Sequence, residues 1–269
     1  NQSWSVQFKQ RLPEGKKPRS LVVDFGTTGD GSEGVFDLFK THVFSNPKPS
    51  ALLKHLVDIS TSGDDTILDF FAGSGTTAHA VMDLNAEDGG NRKWICVQVP
   101  EGTGDDSEAC KAGYKTISAL SLERIRRAGA KIGKCDIGFK TFSLSPSNYS
   151  EWNVLTDKDD EKTLLQQAKL FAEQPLVAGY DEKSVVYEVL LKEGYDLNSK
   201  IADVKKGGVA CYNITDGDKE MTITFANKLT KDQVDGLELS KDTTFVCLDS
   251  ALDDTTKVNI ARNLTVKTI

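Results

Sequence analysis

The sequence predicts an α/β protein in which a ligand-binding strand–turn–helix unit is followed by a smaller α+β domain. Residues 66–71 form a short apolar run typical of a strand, and the glycine turn at 72–75 leads into a helix whose apolar residues recur at helical spacing over 76–85. A second apolar run at 94–99 predicts another strand, which completes a βαβ unit. Such a unit binds ligands at the carboxyl ends of its strands, next to the amino-terminal end of the helix.

The residues of the glycine turn narrow the class of ligand. Thr76 stands where a phosphate-binding P-loop needs Lys, and Ala78 stands at the third glycine of a dinucleotide fingerprint, a position that sometimes permits Ala. Gly73 and Gly75 let the backbone approach a ligand closely, and we expect a side chain at Gly75 to fill the ligand site. Asp69 offers a negative charge, and the two aromatic residues after it offer ring faces for a cation. These features suit S-adenosylmethionine. The alternative is a glycine turn that only joins a strand to a helix.

Two further segments flank this unit. Upstream, the string FSNPKP at 44–49 precedes an amphipathic helix that we predict to begin at Pro49. Downstream, the string LSLERIRRAG occupies residues 120–129. This order resembles a β-class DNA methyltransferase, in which a motif of the FxNPKPxxL kind precedes FAGSGT. The longer strings NPKPSALLKHL, LDFFAGSGTTAHAV and SLERIRRAGAKI resemble one branch of that class, the modification (methyltransferase) subunit of type III restriction–modification systems, which methylates adenine at N6. The resemblance covers residues 44–152 and continues more loosely beyond them.

The resemblance implies a partial Rossmann-like sheet of the S-adenosylmethionine-dependent methyltransferase kind. It also implies DNA as the substrate, a homodimer, and a restriction subunit as a further partner. The implied cofactor-binding residues are Phe44, Asn46, Lys48, Pro49, Asp69, Phe70, Phe71, Gly73, Ser74, Gly75, Thr76, Thr77 and Gln98. Gln98 aligns with an acidic residue that holds the ribose in many relatives, and Glu101 is the alternative for this contact. No catalytic residue is assigned.

One motif of the resembling family is absent from the sequence. Adenine-N6 methyltransferases carry an Asp/Asn-Pro-Pro-aromatic loop for the target base, whereas none of the seven prolines here is followed by another proline. In the β-class order this loop and the target-recognition region lie upstream of Asn46. The chain begins with Asn1 and has too few residues before Asn46 to hold either region. We therefore expect it to be the C-terminal part of a larger enzyme that is inactive alone. The alternatives are a non-catalytic cofactor-binding scaffold and a methyltransferase of non-DNA substrates.

Composition is typical of a folded cytosolic protein. Apolar residues make up 38% and charged residues 27%, and no apolar run approaches the roughly 20 residues that span a bilayer. The five cysteines form no CxxC pair, which favours reduced thiols. The three histidines have no Cys or carboxylate at ligand spacing, so we predict no metal site. His55 and His79 are predicted to lie on helix surfaces.

Charge is distributed unevenly along the chain. Residues 1–147 carry 18 basic and 18 acidic side chains, so the net charge of −7 belongs entirely to residues 148–269. An acidic surface opposes DNA binding, so we expect the C-terminal part to mediate protein contacts and assembly. A basic cluster at 9–19 is either a phosphate-contacting segment or a solvated linker. Arg124, Arg126 and Arg127 are predicted to lie on a solvated helix face.

The remaining pattern gives a coarse order of elements. Residues 1–40 are predicted as a connector that contains a strand-like run at 21–23 and a glycine-rich loop at 26–34. A helix at 115–131 and a third strand at 138–144 would give the parallel order 3-2-1. We place the domain boundary after Ser147, so that 1–147 is the cofactor-binding part and 148–269 the assembly domain. In the latter we expect helices at 157–171, at 181–192 and from Asp254, a hairpin of strands at 209–214 and 221–225, and a strand at 244–248.

Overall fold

The chain divides into two compact units, residues 1–139 and 140–269. The computed structural model describes residues 22–133, 136–150, 162–165, 168–169 and 174–269. The division between the units falls eight residues before the boundary expected after Ser147.

The first unit contains a parallel pair of strands and five helices among its described residues. Its elements are α1 (Thr28–Phe39), α2 (Ser50–Ser60), β1 (Thr66–Asp69), α3 (Thr76–Asp88), β2 (Lys93–Cys96), α4 (Glu108–Lys111) and α5 (Ile117–Ile132). Thr66 pairs with Lys93 and Asp69 with Cys96, so β1, α3 and β2 form the predicted parallel βαβ unit. The N–H of Val97 donates to the Asp69 carbonyl at 2.8 Å and extends this pairing past the end of β2.

Helix α3 is the centre of the first unit because it packs against α2, α5 and β2. Its apolar side chains are almost wholly buried, which explains why it carries small residues on most of its circumference. The buried side chains on α3 are Thr76, Thr77, Ala78, Ala80, Val81, Met82, Leu84 and Asn85.

The prediction of a glycine-rich loop at 26–34 was wrong, because α1 begins at Thr28. Thr27 and Asp30 form a capping box, in which each side chain bonds the backbone N–H of the other residue. Val35 and Phe39 then bury one face of the helix. Gly31 is required for a different reason: a Cβ there would lie 2.1 Å from the Pro47 carbonyl oxygen, so its absence lets α1 approach the chain before α2. Gly31 therefore permits close packing of α1 against this segment and does not mark a loop.

The described residues of the two segments predicted as strands at 21–23 and 138–144 do not form strands. Residues 22–23 and 138–144 have no strand structure, and residue 21 lies outside the described part of the chain. Phe139 packs its ring on Trp94 in the first unit, with centroids 5.5 Å apart. Leu144 is fully exposed, so this run lacks the burial that a third parallel strand requires. The order 3-2-1 is therefore wrong for the described residues, in which β1 and β2 form a two-stranded sheet.

The second unit is built on a five-stranded mixed sheet in the order β3-β4-β5-β6-β7. Its strands are β3 (Lys200–Lys206), β4 (Val209–Asp216), β5 (Lys219–Ile223), β6 (Thr243–Cys247) and β7 (Thr265–Thr268). The pairs from β3 to β5 are antiparallel, and β5–β6 and β6–β7 are parallel. The predicted hairpin is confirmed as β4–β5, whereas β3 and β7 were missed. Both missed strands are at the edges of the sheet, where Lys-rich, half-exposed sequences give little apolar alternation.

Helices α6 (Glu182–Lys192), α7 (Lys231–Asp235) and α8 (Asp254–Ala261) accompany this sheet, with a 3₁₀ turn at Asp249–Ala251. The predictions of α6 and α8 are confirmed, and the helix expected at 157–171 lies largely outside the described residues. Buried side chains of α6 and of the central strands form one continuous core, which includes Val185, Leu190, Ile214, Ile223 and Phe245. Over the part of the chain that the structure describes, no helix is long and apolar enough to cross a bilayer.

Candidate cofactor-binding site

The glycine turn links β1 to α3 through a tightly bonded bend. The Gly75 N–H donates to the Ala72 carbonyl at 2.7 Å, and Gly73 and Gly75 have φ of +54° and +79°. Both angles lie in the left-handed region, where a residue with a Cβ is strained. Gly75 is the N-cap of α3 and offers no side-chain acceptor to the first turn of the helix. This end of α3 therefore has the positive dipole and unpaired N–H groups that attract an anion.

Asp69 lies at the end of β1 and is fixed by two bonds. Its Oδ2 accepts a hydrogen bond from Thr77 Oγ1 at 2.5 Å, and its Oδ1 accepts one from the Phe71 N–H at 3.0 Å. The first bond joins β1 to the first turn of α3, and the second shapes the entry to the glycine turn. A carboxylate keeps further lone pairs when it accepts two bonds, so Asp69 can still take a cationic or hydroxyl group.

Gln98 contacts the glycine turn directly. Its Oε1 accepts a hydrogen bond from the Gly73 N–H at 2.7 Å, and its Nε2 donates to the Val99 carbonyl at 3.1 Å. Both ends of the amide are therefore used within the protein. Glu101, the alternative for a ribose contact, is exposed, and its carboxylate accepts no hydrogen bond among the described residues.

Helix α5 lies behind the glycine turn and forms hydrogen bonds with it. This contact was not predicted from the sequence. Ser121 Oγ donates to the Gly73 carbonyl at 2.8 Å. One nitrogen of Arg124 donates to Ser74 Oγ at 2.5 Å and to Thr76 Oγ1 at 2.7 Å. The prediction that Arg124 lies on a solvated face was wrong, because its side chain is 1% exposed.

The helical spacing of α5 contained the missed signal. Residues 120, 121, 124, 125 and 128 recur at intervals of three and four and are all buried, so Arg124 falls on the apolar face of the helix. Arg126 and Arg127 each form a salt bridge with Glu123. Arg126 is exposed, as predicted, whereas the prediction for Arg127 is only partly correct, because it is half-buried and donates to the Leu38 carbonyl at 3.0 Å. Sequence composition alone groups these three arginines, whereas helical periodicity separates them.

The direction in which a side chain on Gly75 would point also differs from the expectation. A Cβ on Gly75 would lie 3.0 Å from Ile125 Cγ1 and 3.1 Å from Ser121 Oγ. It would therefore point into α5 and away from the outer side of the turn. A Cβ on Gly73 would have only ordinary contacts at 3.8 Å, with the Phe44 ring and the Phe71 carbonyl. Gly73 is thus the position at which a side chain would enter the space between the turn and Phe44.

The segment at 44–49 reaches the turn only in part. Phe44 lies beside Gly73, as just described, and packs against the buried cluster of Val35, Phe39 and Leu120. Pro49 is buried as the N-cap of α2. Asn46 and Lys48 are exposed, and neither forms a hydrogen bond or salt bridge with the glycine turn in the described structure. Their assignment to the cofactor stays a prediction.

An open cavity of about 320 Å³ lies between α2, β1 and the start of α3. Its lining joins apolar side chains of α2 with the predicted site residues Asp69, Phe70, Phe71 and Thr77. Phe70 and Phe71 are 63% and 81% exposed and stand with ring centroids 5.1 Å apart. The volume lies within the range of small-molecule sites, and the exposed rings supply the apolar surface that such sites offer.

Cys96, the last residue of β2, has a weakly acidic thiol. Burial raises the pKa of the Cys96 thiol to about 11, so this cysteine is protonated and unreactive at neutral pH. No cluster of His, Cys, Asp and Glu suited to a metal occurs among the described residues. The basic cluster at 9–19 lies outside the described residues. Cys96, Cys110, Cys211 and Cys247 are free thiols, and Cys135 lies outside the described residues.

Comparison with known proteins gives a family match over the first unit. Residues 3–127 match the N6/N4 family described as DNA methylase. The matched range contains β1, the glycine turn, α3, β2 and most of α5, which are the elements that build the site.

Three of the similar curated proteins are type III modification subunits. The StyLTI Mod subunit of Salmonella typhimurium is 47% identical over 122 residues, which cover 43% of this chain and 19% of the relative. The EcoP15I Mod subunit of Escherichia coli is 35% identical over 168 residues, which cover 62% of this chain and 24% of the relative. The EcoPI Mod subunit of Escherichia phage P1 is 38% identical over 51% of this chain and 23% of the relative. The matches thus span about a quarter or less of each relative.

Proposed function

We propose that this chain, a homologue of type III modification subunits with a match to the N6/N4 DNA methylase family, is the cofactor-binding part of a DNA adenine-N6 methyltransferase. The observation that carries the proposal is the glycine turn, which is held between Gln98 and α5 and is flanked by Asp69, Phe71 and Thr77, residues that line an open cavity. The relatives named for type III restriction–modification favour DNA over other methyl acceptors. The enzyme would act in the cytosol.

The residues around the turn fit S-adenosylmethionine, which when bound supplies an electrophilic methyl group on its sulfonium. Gly73, Ser74 and Gly75 would hold the amino-acid part, and the N-terminal end of α3 at Thr76 and Thr77 would favour its carboxylate. Asp69 and the ring of Phe71 would lie near the cationic centre. The exposed Phe70, together with the apolar lining of the cavity, would cover the nucleoside, and Phe44 would close the pocket on the side of Gly73.

Binding of S-adenosylmethionine or S-adenosylhomocysteine should stabilise the chain. A ligand that binds only the folded state, present at a hundredfold excess over its dissociation constant, stabilises that state by about 2.7 kcal/mol. Gly73→Val should abolish the shift in melting temperature, because its side chain would enter the space beside Phe44. Differential scanning fluorimetry with and without ligand measures the shift.

Gly89→Val is the matched control for this experiment. Gly89 ends α3 with φ of +73°, and a Cβ there meets nothing within 4 Å. It imposes a similar backbone strain far from the turn, so its ligand shift should equal that of the unmodified chain. An equal shift in both glycine variants, or none in the unmodified chain, would contradict the cofactor site.

The outer face of the β1–β2 sheet supports the view that this unit belongs to a larger domain. Ile95, Val97 and Val99, in β2 and just after it, are between 49% and 69% exposed, although parallel sheets are normally covered on both faces. Among the described residues β1 pairs only with β2, so its other edge is open as well. A further segment of a full-length enzyme, with the catalytic loop, would cover this surface.

The chain alone should therefore not methylate DNA. Extruding an adenine from the duplex costs a few kcal/mol, which an enzyme recovers by stacking on the base and bonding its edge. The sequence contains no Asp/Asn-Pro-Pro-aromatic loop for these contacts. Transfer of tritiated methyl groups to adenine-containing DNA should stay at background, whereas an intact type III modification subunit assayed in parallel should label it. Turnover by the chain would show that it holds a catalytic site and would overturn this assignment.

For the second unit we propose a role in assembly. Residues 148–269, which make up most of it, carry the whole net negative charge of the chain, which suits protein contacts better than contacts with the phosphate backbone. In the full-length enzyme it would support a homodimer or contact a restriction subunit, while DNA would be bound mainly by regions outside this sequence.

A further inference from the structure

Arg124 is a buried cation without an anionic partner. Its side chain is 1% exposed, and its Nε is buried and has no hydrogen-bond partner. Among the described residues no carboxylate forms a salt bridge with it, although Glu123, the residue before it, pairs with Arg126 and Arg127. Within the described part of the chain, the hydrogen-bond acceptors of Arg124 are the hydroxyl oxygens of Ser74 and Thr76.

Burial of a guanidinium without an anionic partner lowers the stability of the folded chain. Transfer of a guanidinium from water into a protein interior is strongly unfavourable when no carboxylate or phosphate accompanies it. Burial lowers the pKa of Arg124 to about 10, so the group still carries its charge at neutral pH. A hydrophobic side chain of similar length would fill the position without this cost. We expect that an anion bound near Arg124, on the other side of the glycine turn, offsets part of this cost.

The position of Arg124 identifies where this anion would bind. Its two hydrogen bonds end on Ser74 and Thr76, which flank Gly75 in the turn that opens α3. The cation therefore lies directly behind the uncapped amino-terminal end of a 13-residue helix. Its charge and the helix dipole act in the same direction on a negative group in front of the turn.

We propose that Arg124 is a positioning residue that orients the glycine turn and attracts the α-carboxylate of the amino-acid part of the bound cofactor. The inference rests on the proposed function and deepens it, because it assigns the specificity for the carboxylate to a residue that the ligand does not touch. The hydrogen bonds to Ser74 and Thr76 hold the turn in the binding conformation. The positive charge lies behind the buried side chains of Ser74 and Thr76, and Coulomb interactions are stronger in such surroundings than in water.

The test compares two nucleosides that differ in the amino-acid part. S-adenosylhomocysteine carries the carboxylate, and 5′-methylthioadenosine lacks the amino acid. In Arg124→Met, isothermal titration of the full chain should show an affinity for S-adenosylhomocysteine reduced by about tenfold or more, as expected for a charge pair at intermediate dielectric. The affinity for 5′-methylthioadenosine should change by less than about threefold, because its binding involves no carboxylate.

Arg126→Met is the matched control. It removes the same charge from the same helix, but Arg126 is exposed and bonds only Glu123. Both ligands should bind this variant as they bind the unmodified chain. Arg124→Lys keeps the charge and should keep most of the preference for S-adenosylhomocysteine, which a role limited to packing would not predict.

The outcomes separate this inference from the proposed function. An equal loss of both ligands in Arg124→Met would mean that the arginine only supports the turn, and an unchanged affinity would mean that it has no role; either result overturns the inference. If the unmodified chain binds neither nucleoside, the proposed function fails and the inference fails with it. If Arg124→Met does not fold, Arg124→Gln is titrated with the same two ligands: a loss of about tenfold for S-adenosylhomocysteine that 5′-methylthioadenosine does not share supports the inference, and an equal loss or no loss overturns it.

Discussion

Gly75→Val should destabilise the first unit by roughly 3–5 kcal/mol, the sum of a backbone and a packing cost. Gly75 has φ of +79°, and a β-branched residue in that region is a strained conformation. The new Cβ would lie 3.0 Å from Ile125 Cγ1, which is tighter than ordinary contact, and its two methyl groups would press further on α5. The hydrogen bonds that Ser121 and Arg124 form with the turn would be displaced together with that helix.

Urea unfolding of Gly75→Val, Gly75→Ala and Gly89→Val measures the two contributions separately. Gly89 has φ of +73° at the other end of the same helix, and a Cβ there would point into open space, so Gly89→Val carries the backbone cost of about 1–2 kcal/mol alone. Gly75→Ala should fall between the two valine variants. If Gly75→Val and Gly89→Val lower the free energy of unfolding equally, the close contact between the turn and α5 does not exist in solution.

The local elements of the site could be predicted from the sequence because the periodicity of each is strong. The strand before the turn, the helix after it and the strand at 93–96 follow from apolar runs with the correct lengths and from two glycines. Helix α1 was not predicted because the low helix propensity of its glycines outweighs the capping signal at its start. The capping box of Thr27 and Asp30 and the packing of Gly31 on Pro47 determine the outcome instead, and the second of these joins residues that are distant in the sequence.

The role of Arg124 could not be derived from composition, because its partners lie about 50 residues upstream. Three arginines within four residues predict solvated side chains. One of the three is buried because its face of the helix lies against the glycine turn. The contact of Gln98 with the glycine turn could not be predicted for the same reason. Its amide matches the ribose position in a linear alignment, while its bond to the Gly73 N–H depends on how β2 returns beside β1. Long-range contacts of single polar side chains are the part of a site that local patterns do not contain.

The stability of the first unit should fall by about 3 kcal/mol as the pH drops from 6.5 to 4, through the titration of His79. The prediction of His79 as a surface residue is only partly correct, since its side chain is 14% exposed. Burial, Arg124 and Lys131 lower the pKa of His79 to about 4, compared with 6.5 in an unfolded chain. Below pH 6.5 the unfolded state takes up a proton that the folded state refuses, so stability is lost as the pH falls and becomes constant below the folded pKa.

The geometry around the imidazole explains why the folded state refuses the proton. His79 Nε2 lies 3.3 Å from Asp83 Oδ2 and is the nitrogen placed to donate, while Nδ1 is buried with no hydrogen-bond partner. A second proton would therefore sit on Nδ1 without an acceptor, close to the charge of Arg124. The carboxylate of Asp83 opposes this effect, although burial raises the pKa of Asp83 itself.

Replacement of His79 isolates its contribution from those of the other titrating groups. The unfolding free energy depends on pH through His79 and through other groups, and His79→Gln keeps only the contribution of the other groups. Between pH 6.5 and pH 4 the variant should therefore lose about 3 kcal/mol less stability than the unmodified chain. Guanidinium unfolding at half-unit steps of pH gives the two curves. Parallel curves for the unmodified chain and His79→Gln would mean that water or a shift of α5 relieves Nδ1, and that His79 is protonated in the folded state at mildly acidic pH.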